Sequence, residues 1–308
     1  MKGKLVLAGG TGQIGKAIIS NLKDEFENIV VLSRHPQTDR DHIRYVKWDG
    51  KTVGSWKSEL DGADVLINLA GKNVNCRYTL ANRKEILNSR INSVKVLADA
   101  IRECTIPPEV WIQSASATIY RHSLDKPMDE FIHEYGTGFS VDVCKAWEGT
   151  FWEETKEFPA MRKVILRISM VLSKDDGVLP RLVTMTKLGL GGKQGPGTQM
   201  VSWIHEEDLV NIIKWIIQHI EKAGVYNCTS PEVISNAELM KKLRNKLNVL
   251  IGIPSGKLLL EIGAFIIRTE TELILKSRLV LPSRLLWEKY PFKFEKLEKA
   301  LNDLVKRD

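Results

Sequence analysis

Apolar residues in the first half of the chain alternate between short buried-type runs and stretches with helical spacing. The runs predict strands at residues 5–8, 29–32, 43–49, 64–71, 110–116 and 164–168. The helical spacing predicts helices at 13–23, at 79–103 and through 141–148. Strands that alternate with helices build a parallel sheet covered on both faces, so we expect an α/β fold with a doubly wound parallel sheet.

The pattern changes from Leu172 onward. The stretch from Gly177 to Gly197 holds eight glycines or prolines, which predicts a lobe of short helix and loop over the cleft rather than more sheet. A helix is expected to open over 203–208, and 224–228 is expected to return to the sheet as a late strand. We therefore predict a sheet domain at 1–170, completed by about 201–230, and a small C-terminal lobe with a mostly helical region at 171–200 and 231–308.

A glycine turn lies between the first predicted strand and the first predicted helix. Its spacing is Gly9-x-x-Gly12-x-x-Gly15. Such a turn leaves backbone N–H groups free at a helix start, where the dipole favours an anion, and glycine lets a pyrophosphate approach the backbone closely. A glycine triplet also occurs where a turn merely closes, but its place between strand and helix favours a dinucleotide site. The candidate pyrophosphate residues are Gly9, Thr11, Gly12, Gln13, Ile14 and Gly15.

The second strand ends at Ser33-Arg34. An acidic residue at this strand end suits the ribose 2′-hydroxyl of NAD, whereas a basic residue suits the 2′-phosphate of NADP. Arg34 therefore predicts NADP(H), with a plain surface arginine as the alternative interpretation. Ligands of such sheets lie at the carboxyl ends of the strands. The other cofactor-binding candidates at these ends are Ser33, Asp49 near the adenine, Leu69, Ala70, Gly71 and Ser114.

Composition describes an ordinary globular chain of 308 residues, with 43% hydrophobic and 27% charged residues. The net charge of +7 comes from dispersed basic residues, so no nucleic-acid partner is expected. Four separated cysteines predict neither a zinc site nor a disulfide framework, and the first strand leaves no room for a signal peptide, so we expect a cytoplasmic protein. The apolar stretch 249–267 contains Pro254, Lys257 and Glu261, and no membrane span is expected there.

Several short motifs follow one another along the chain in a specific order and spacing. They are 9–15, Ser33-Arg34, Trp48-Asp49, 68–71, Ser89-Arg90, 114–117, Trp147-Glu148, 203–205, 224–227 and 278–282. On these residues the chain resembles an atypical extended short-chain dehydrogenase/reductase. More narrowly, it resembles the nucleoside-diphosphate-sugar epimerase-like family that ends in a C-terminal domain of unknown function. The resemblance implies a Rossmann-like fold with a small substrate lobe, and NADP(H) as the cofactor.

The resemblance also implies catalytic roles. Ser116, in the segment 116–120, corresponds to the serine that hydrogen-bonds the substrate oxygen, and Lys145 corresponds to the lysine that holds the nicotinamide ribose. In the superfamily that lysine lowers the pKa of a tyrosine four residues earlier, which then exchanges protons. Here that position is Val141. Either another residue supplies the proton, or the reaction is slow, or the site binds cofactor without turnover.

Other residues bear on this departure. Tyr120 and Tyr135 are candidates to replace the missing tyrosine as acid or base, with packing or surface roles as the alternative. Cys144 is expected to be a buried, inert thiol. Ser202 stands where sugar-nucleotide enzymes place an arginine that binds the diphosphate. The resemblance to epimerases therefore does not assign a sugar nucleotide as substrate, and we expect a small-molecule substrate of unknown identity. Two hypotheses follow: an oxidoreductase or epimerase acting on a small carbonyl compound, and an NADP(H)-sensing binding protein. A homodimer through the helix that contains Lys145 fits either.

Overall fold

The computed structural model describes residues 3–256 and 272–306. Its centre is a sheet of seven parallel strands: β1 Lys4–Ala8, β2 Asn28–Ser33, β3 Ile43–Lys47, β4 Val65–Asn68, β5 Val110–Ser116, β6 Arg162–Ile168 and β10 Gly224–Cys228. Their order across the sheet is β10-β6-β5-β4-β1-β2-β3. The strand order reverses beside β1, which opens a crevice at the carboxyl edge of the sheet, where ligands of such folds bind.

Helices cover both faces of this sheet. They are α1 Gln13–Leu22, α2 Leu80–Arg102, α3 Phe139–Glu154 and α5 Glu206–Gln218. Side chains alternate along each strand: in β1, Leu5 and Leu7 point into the core beneath α1 and α5, while Val6 and Ala8 point into the core beneath α2 and α3. This arrangement confirms the predicted α/β, Rossmann-like, doubly wound parallel sheet.

A third core holds the C-terminal lobe together. It combines β7 Met170–Leu172, β9 Trp203–His205, α4 Leu179–Met185, α6 Asn236–Lys246 and a late helix at Leu297–Leu304. Two short strands, β8 Met200–Val201 and β11 Ile234–Ser235, pair antiparallel beside it, and short helices occur at Glu272–Leu275 and Ser283–Trp287. The boundary between the sheet domain and the lobe stays a prediction.

One predicted element was wrong in type. The residues from Trp203 to His205 form strand β9, parallel to β7, and α5 begins only at Glu206. The strand forms because Trp203, fully buried, packs into the lobe core, and pairing with a distant segment overrides local helical spacing. The apolar stretch 249–267 lies partly outside the described residues. Within the described ranges, no helix is long and apolar enough to cross a bilayer.

Candidate functional site

The glycine turn connects β1 to α1, and the backbone is closely packed at two of its glycines. Gly9 has a φ of +77°, and a Cβ there would lie 2.8 Å from Ala70 Cα; a Cβ on Gly15 would lie 2.1 Å from Gly10 O. Both positions therefore require glycine for packing. Gly12 differs, because a Cβ there would meet nothing within 4 Å. Gly12 thus borders open space at the start of α1.

The start of α1 carries unsatisfied backbone donors. Gly12 is its N-cap, no side chain of the described residues caps it, and the first turn contains no acidic residue. Free N–H groups and the positive end of the helix dipole form an anion site. The arrangement fits the pyrophosphate of a dinucleotide, with Thr11, Gln13 and Ile14 beside it.

Gln13 lies between the turn and the lobe. Its Nε2 is buried without a hydrogen-bond acceptor in the described part of the chain. A Cβ on Gly177, at a φ of +80° in the lobe, would lie 2.8 Å from Gln13 Oε1. The lobe therefore packs directly over the first residue of α1. A buried amide donor without a partner is consistent with a ligand oxygen at this point.

The end of β2 lies beside the turn. Thr11 Oγ1 and Ser33 Oγ are 3.4 Å apart, and the Ser33 hydroxyl accepts a hydrogen bond from the His35 N–H at 3.2 Å. Arg34 is exposed, so its guanidinium is free to meet a ligand. The structure thus places Ser33 beside the glycine turn, with Arg34 directly after the end of β2; their contacts with a cofactor stay a prediction.

Asp49 lies two residues after the end of β3, the strand that pairs with β2. Its carboxylate accepts hydrogen bonds from the N–H groups of Lys51 (2.8 Å) and Thr52 (2.9 Å) and from the Thr52 hydroxyl (2.8 Å). Partial burial alone would raise the pKa of Asp49, but these hydrogen bonds outweigh it and hold the pKa below its usual value. The carboxylate orders the loop after β3, and its predicted contact with the adenine stays a prediction.

A buried amide network fixes the ends of β4 and β5. The Asn68 side chain donates to Gln113 Oε1 (3.0 Å) and accepts from the Ala70 N–H (3.0 Å). The Ser114 hydroxyl donates to the Asn68 carbonyl at 2.8 Å. Ser114 therefore acts first as a link between strands. The network sets the path of Leu69, Ala70 and Gly71 past Gly9, which is where cofactor contacts were predicted.

Ser116 ends β5 and is half-buried. Its Oγ donates to Thr118 Oγ1 at 3.0 Å and accepts from the Thr118 N–H at 3.2 Å, so it caps the short helix Ala117–Ile119. Lys145 is exposed on α3, and its amine donates to the Gly136 carbonyl at 3.0 Å. Both predicted catalytic residues are therefore already hydrogen-bonded within the chain, and each retains capacity for a further partner.

Val141 lies one turn before Lys145 and is fully buried. Residues 119–121 and 134–136 form a small antiparallel pair, in which Gly136 donates to the Ile119 carbonyl at 2.9 Å. A Cβ on Gly136 would lie 3.1 Å from Val141 Cγ2. The position at which the resemblance implies a reactive tyrosine is thus a packing position beneath this pair of segments.

Neither alternative tyrosine is a free phenol. Tyr120 is fully buried; its hydroxyl donates to Asn227 Oδ1 at 3.0 Å and accepts from Arg167 Nη1 at 2.8 Å. Burial raises the pKa of Tyr120 well above its ordinary value despite the nearby Arg167 guanidinium. Tyr135 is half-buried, and its hydroxyl accepts from Arg167 Nη2 at 3.1 Å. Tyr120 is therefore a structural residue.

Sequence reasoning missed the ion pair at the centre of this network. Arg167 of β6 and Glu148 of α3 are joined by two hydrogen bonds, of 2.9 and 2.8 Å, and both side chains are buried. The network borders a crevice of about 310 Å³ that Lys145 and Trp152 also line. The signal was available, because an arginine inside the apolar run 164–168 requires a buried partner.

His205 is a helix cap. Its Nδ1 accepts the Glu207 N–H at 3.0 Å, and its ring stacks on Phe294 with the centroids 3.7 Å apart. These contacts give the His205 ring a structural role at the start of α5. Cys144 is buried, and burial raises the pKa of its thiol to about 12, as expected of an inert cysteine.

The chain is similar in sequence and in fold to known proteins. The epimerase family protein SH2119 of Staphylococcus haemolyticus is 30% identical over 307 residues, which cover 98% of this chain and 99% of that protein. SDR39U1 of Bos taurus, also named an epimerase family protein, is 30% identical over 310 residues, covering 98% and 99%. The crystal structure of human SDR39U1 with NADPH matches with a TM-score of 0.86 at 28% identity, over 98% of each chain.

The family model matches most of the chain. The model described as the NAD dependent epimerase/dehydratase family covers residues 5–229, which contain all of the parallel sheet except Lys4 of β1. The resemblance to an extended short-chain dehydrogenase/reductase is confirmed. The chain belongs to the NAD dependent epimerase/dehydratase family.

Proposed function

We propose that this protein is an NADP(H)-dependent oxidoreductase of a non-standard kind, acting on a small carbonyl compound in the cytoplasm. The observation that carries the proposal is the uncapped start of α1 beside the exposed Arg34. A pyrophosphate and a 2′-phosphate would find complementary groups there, a short distance apart. The NADPH bound by human SDR39U1 supports the same cofactor for this relative.

Each part of the cofactor has a residue suited to it. The N–H groups of Gln13 and Ile14 would hold the pyrophosphate, Arg34 the 2′-phosphate, and Asp49 would lie near the adenine. Lys145 would turn its amine from the Gly136 carbonyl to the nicotinamide ribose, since its long side chain is exposed. When bound, the nicotinamide supplies or accepts a hydride at the substrate carbon. The Ser116 hydroxyl would orient the substrate oxygen.

The proton does not come from the usual tyrosine position. Val141 has no exchangeable proton, and the Tyr120 phenol is buried with a raised pKa. A solvent proton or a substrate group would then complete the reaction, which predicts slow turnover compared with a site that holds a tyrosine.

Turnover tests the proposal. NADPH consumption is followed with a panel of small aldehydes and ketones, using the parent and Ser116→Ala, with Ser58→Ala, exposed on the short helix Ser55–Glu59, as the matched control. We expect slow, NADPH-dependent reduction that falls about 100-fold in Ser116→Ala, because a donor to the developing oxyanion is lost. Tight NADPH binding with no turnover on any carbonyl would favour the cofactor-sensing binding protein instead.

A further inference from the structure

Two arginines beside the candidate site take part in none of the roles above. Arg90 of α2 lies under Gly71: a Cβ on Gly71 would be 3.1 Å from Arg90 Cζ. On its other side, the guanidinium lies 5.0 Å from the centroid of the Trp147 ring. Only Nη1 is hydrogen-bonded within the described residues, to the carbonyls of Lys72 (3.1 Å) and Ile86 (2.9 Å). The Nε and Nη2 groups remain available to donate to a ligand.

Arg278 approaches from the lobe. Its backbone is held on both sides, because its N–H donates to the Met200 carbonyl at 2.8 Å and its carbonyl accepts from Ser202 Oγ at 2.7 Å. The side chain is half-buried, yet Nη1 is fully buried and has no acceptor among the described residues. An arginine remains protonated in proteins, so the guanidinium stays charged and Nη1 remains a donor. A buried charged donor without an acceptor is costly.

No carboxylate of the described residues forms an ion pair with either guanidinium, although the Glu272 carboxylate lies near Arg278. Around Arg90, the titratable neighbours are the thiol of Cys144 and the phenol of Tyr78. Around Arg278 they are Cys144 and Glu272. Glu272 is already bound, since it accepts from Lys276 Nζ at 3.1 Å and from Ser140 Oγ at 3.4 Å. Burial accordingly lowers the pKa of both arginines.

Both arginines lie near Cys144 of α3. Trp147, which stacks on Arg90, lies one turn from Cys144, and Cys144 packs with Ala117 and Val280. Ala117 directly follows Ser116, and Val280 lies two residues after Arg278. The guanidiniums therefore flank the region next to Ser116, one from the sheet domain and one from the lobe. Gly71 connects the same region to the cofactor side of the cleft.

We propose that Arg90 and Arg278 together bind an oxyanion of the substrate, a carboxylate or a phosphate. Planar guanidiniums with spare N–H groups match the oxygens of either anion. The inference rests on the proposed function in one respect, because it places this anion on the carbonyl compound that Ser116 would orient. The substrate class is then a small anionic carbonyl compound, with its charge held between the lobe and the sheet domain.

Anion titration of the full-length protein saturated with NADP⁺ tests this, because the cofactor then fills the phosphate sites at α1 and Arg34. Inorganic phosphate and acetate are added separately at constant ionic strength against chloride, and the melting temperature and Trp fluorescence are recorded. We expect saturable stabilisation by at least one of the two anions, which also tells phosphate from carboxylate. Arg278→Met and Arg90→Met should each weaken it about tenfold or more, whereas the exposed Arg44→Gln should not.

A second readout separates binding from a merely structural role. In chloride buffer free of oxyanions, Arg278→Met should melt at a higher temperature than the parent, because it removes a charge whose buried Nη1 has no acceptor among the described residues. A lower melting temperature would show that Arg278 has a structural partner and would overturn the proposal. An unchanged anion response in both arginine variants, or no response of the parent to either anion, would overturn it too. If NADP⁺ itself fails to bind, the proposed cofactor is wrong. The stabilisation by phosphate or acetate is then compared between the parent and Arg278→Met without nucleotide, and that difference still tests the anion site.

Discussion

Val141 Cγ2 lies so close to Gly136 that a methyl group on the glycine would sit 3.1 Å from it. The contact joins the first turn of α3 to the segment that follows Tyr135, and it leaves Val141 with no exposed surface. The residue that replaces the expected tyrosine is therefore part of the packing. This relationship explains why the site has to be judged from Ser116, Lys145 and the two arginines rather than from the usual triad.

Restoring the tyrosine should harm the fold without restoring a reaction. We expect Val141→Tyr to destabilise the protein by about 1–3 kcal/mol, since a large ring must enter a filled position against Gly136. Carbonyl reduction should not increase. Thermal melts and NADPH consumption check this, with Val141→Phe, which adds a ring without the phenol hydroxyl, as the matched control. A large gain in reduction at unchanged stability would show instead that the position opens to the cleft and that the site is a disabled enzyme.

Two glycines of the same turn should respond in opposite ways. Gly15→Ala places a Cβ 2.1 Å from Gly10 O, so we expect a loss of about 2–4 kcal/mol in the free energy of unfolding. Gly12→Ala meets no atom within 4 Å, so stability should change by about 1 kcal/mol or less while NADPH affinity falls. Chemical denaturation and a binding titration of both variants measure this. Equal NADPH affinity in Gly12→Ala and the parent would argue against a pyrophosphate at this turn.

The buried ion pair should be costly to break. Glu148→Gln leaves the Arg167 guanidinium without a counter-charge, and we expect a loss of about 3–5 kcal/mol. The matched control is Glu153→Gln on the same helix, which breaks an exposed pair with Lys156 and should cost about 1 kcal/mol or less. Denaturant unfolding of both variants gives the comparison. Similar small losses in the two would contradict the account of the Tyr120 network.

His205 should make stability depend on pH. Burial lowers its pKa in the folded state, an effect that the nearby Asp303 only partly opposes, and Nδ1 must stay unprotonated to accept the Glu207 N–H. The unfolded state then binds the proton more readily, so this contribution is present above pH ~6.5 and is lost as the pH falls below it. His205→Asn, which can still cap α5, should flatten the melting temperature between pH ~7.5 and ~5. The exposed His35→Gln should leave the parent's profile unchanged; identical profiles for all three proteins would refute the role.

The sequence predicted the sheet well because its strands are continuous apolar runs and its turn residues are local. The same logic failed at Trp203, whose strand depends on pairing with Met170 more than thirty residues away. It also left Tyr120 undecided, since the partners that bury the phenol, Arg167 and Asn227, come from two other strands. Arg90 and Arg278 stood out only as motif positions, because the lack of an ion-pair partner for them among residues 3–256 and 272–306 becomes visible only when the fold brings distant segments together.

The central claim is that the uncapped start of α1 and Arg34 form an NADP(H) site. It is tested most directly by titrating the purified protein with NADPH, NADP⁺, NADH and NAD⁺, followed by Trp fluorescence, for the parent, Arg34→Glu and the exposed control Lys95→Glu. We predict that the parent and the control bind the two phosphorylated forms about tenfold or more tightly than the others, and that Arg34→Glu removes this preference. Equal affinities for all four nucleotides in the parent, or an unchanged preference in Arg34→Glu, would contradict the account.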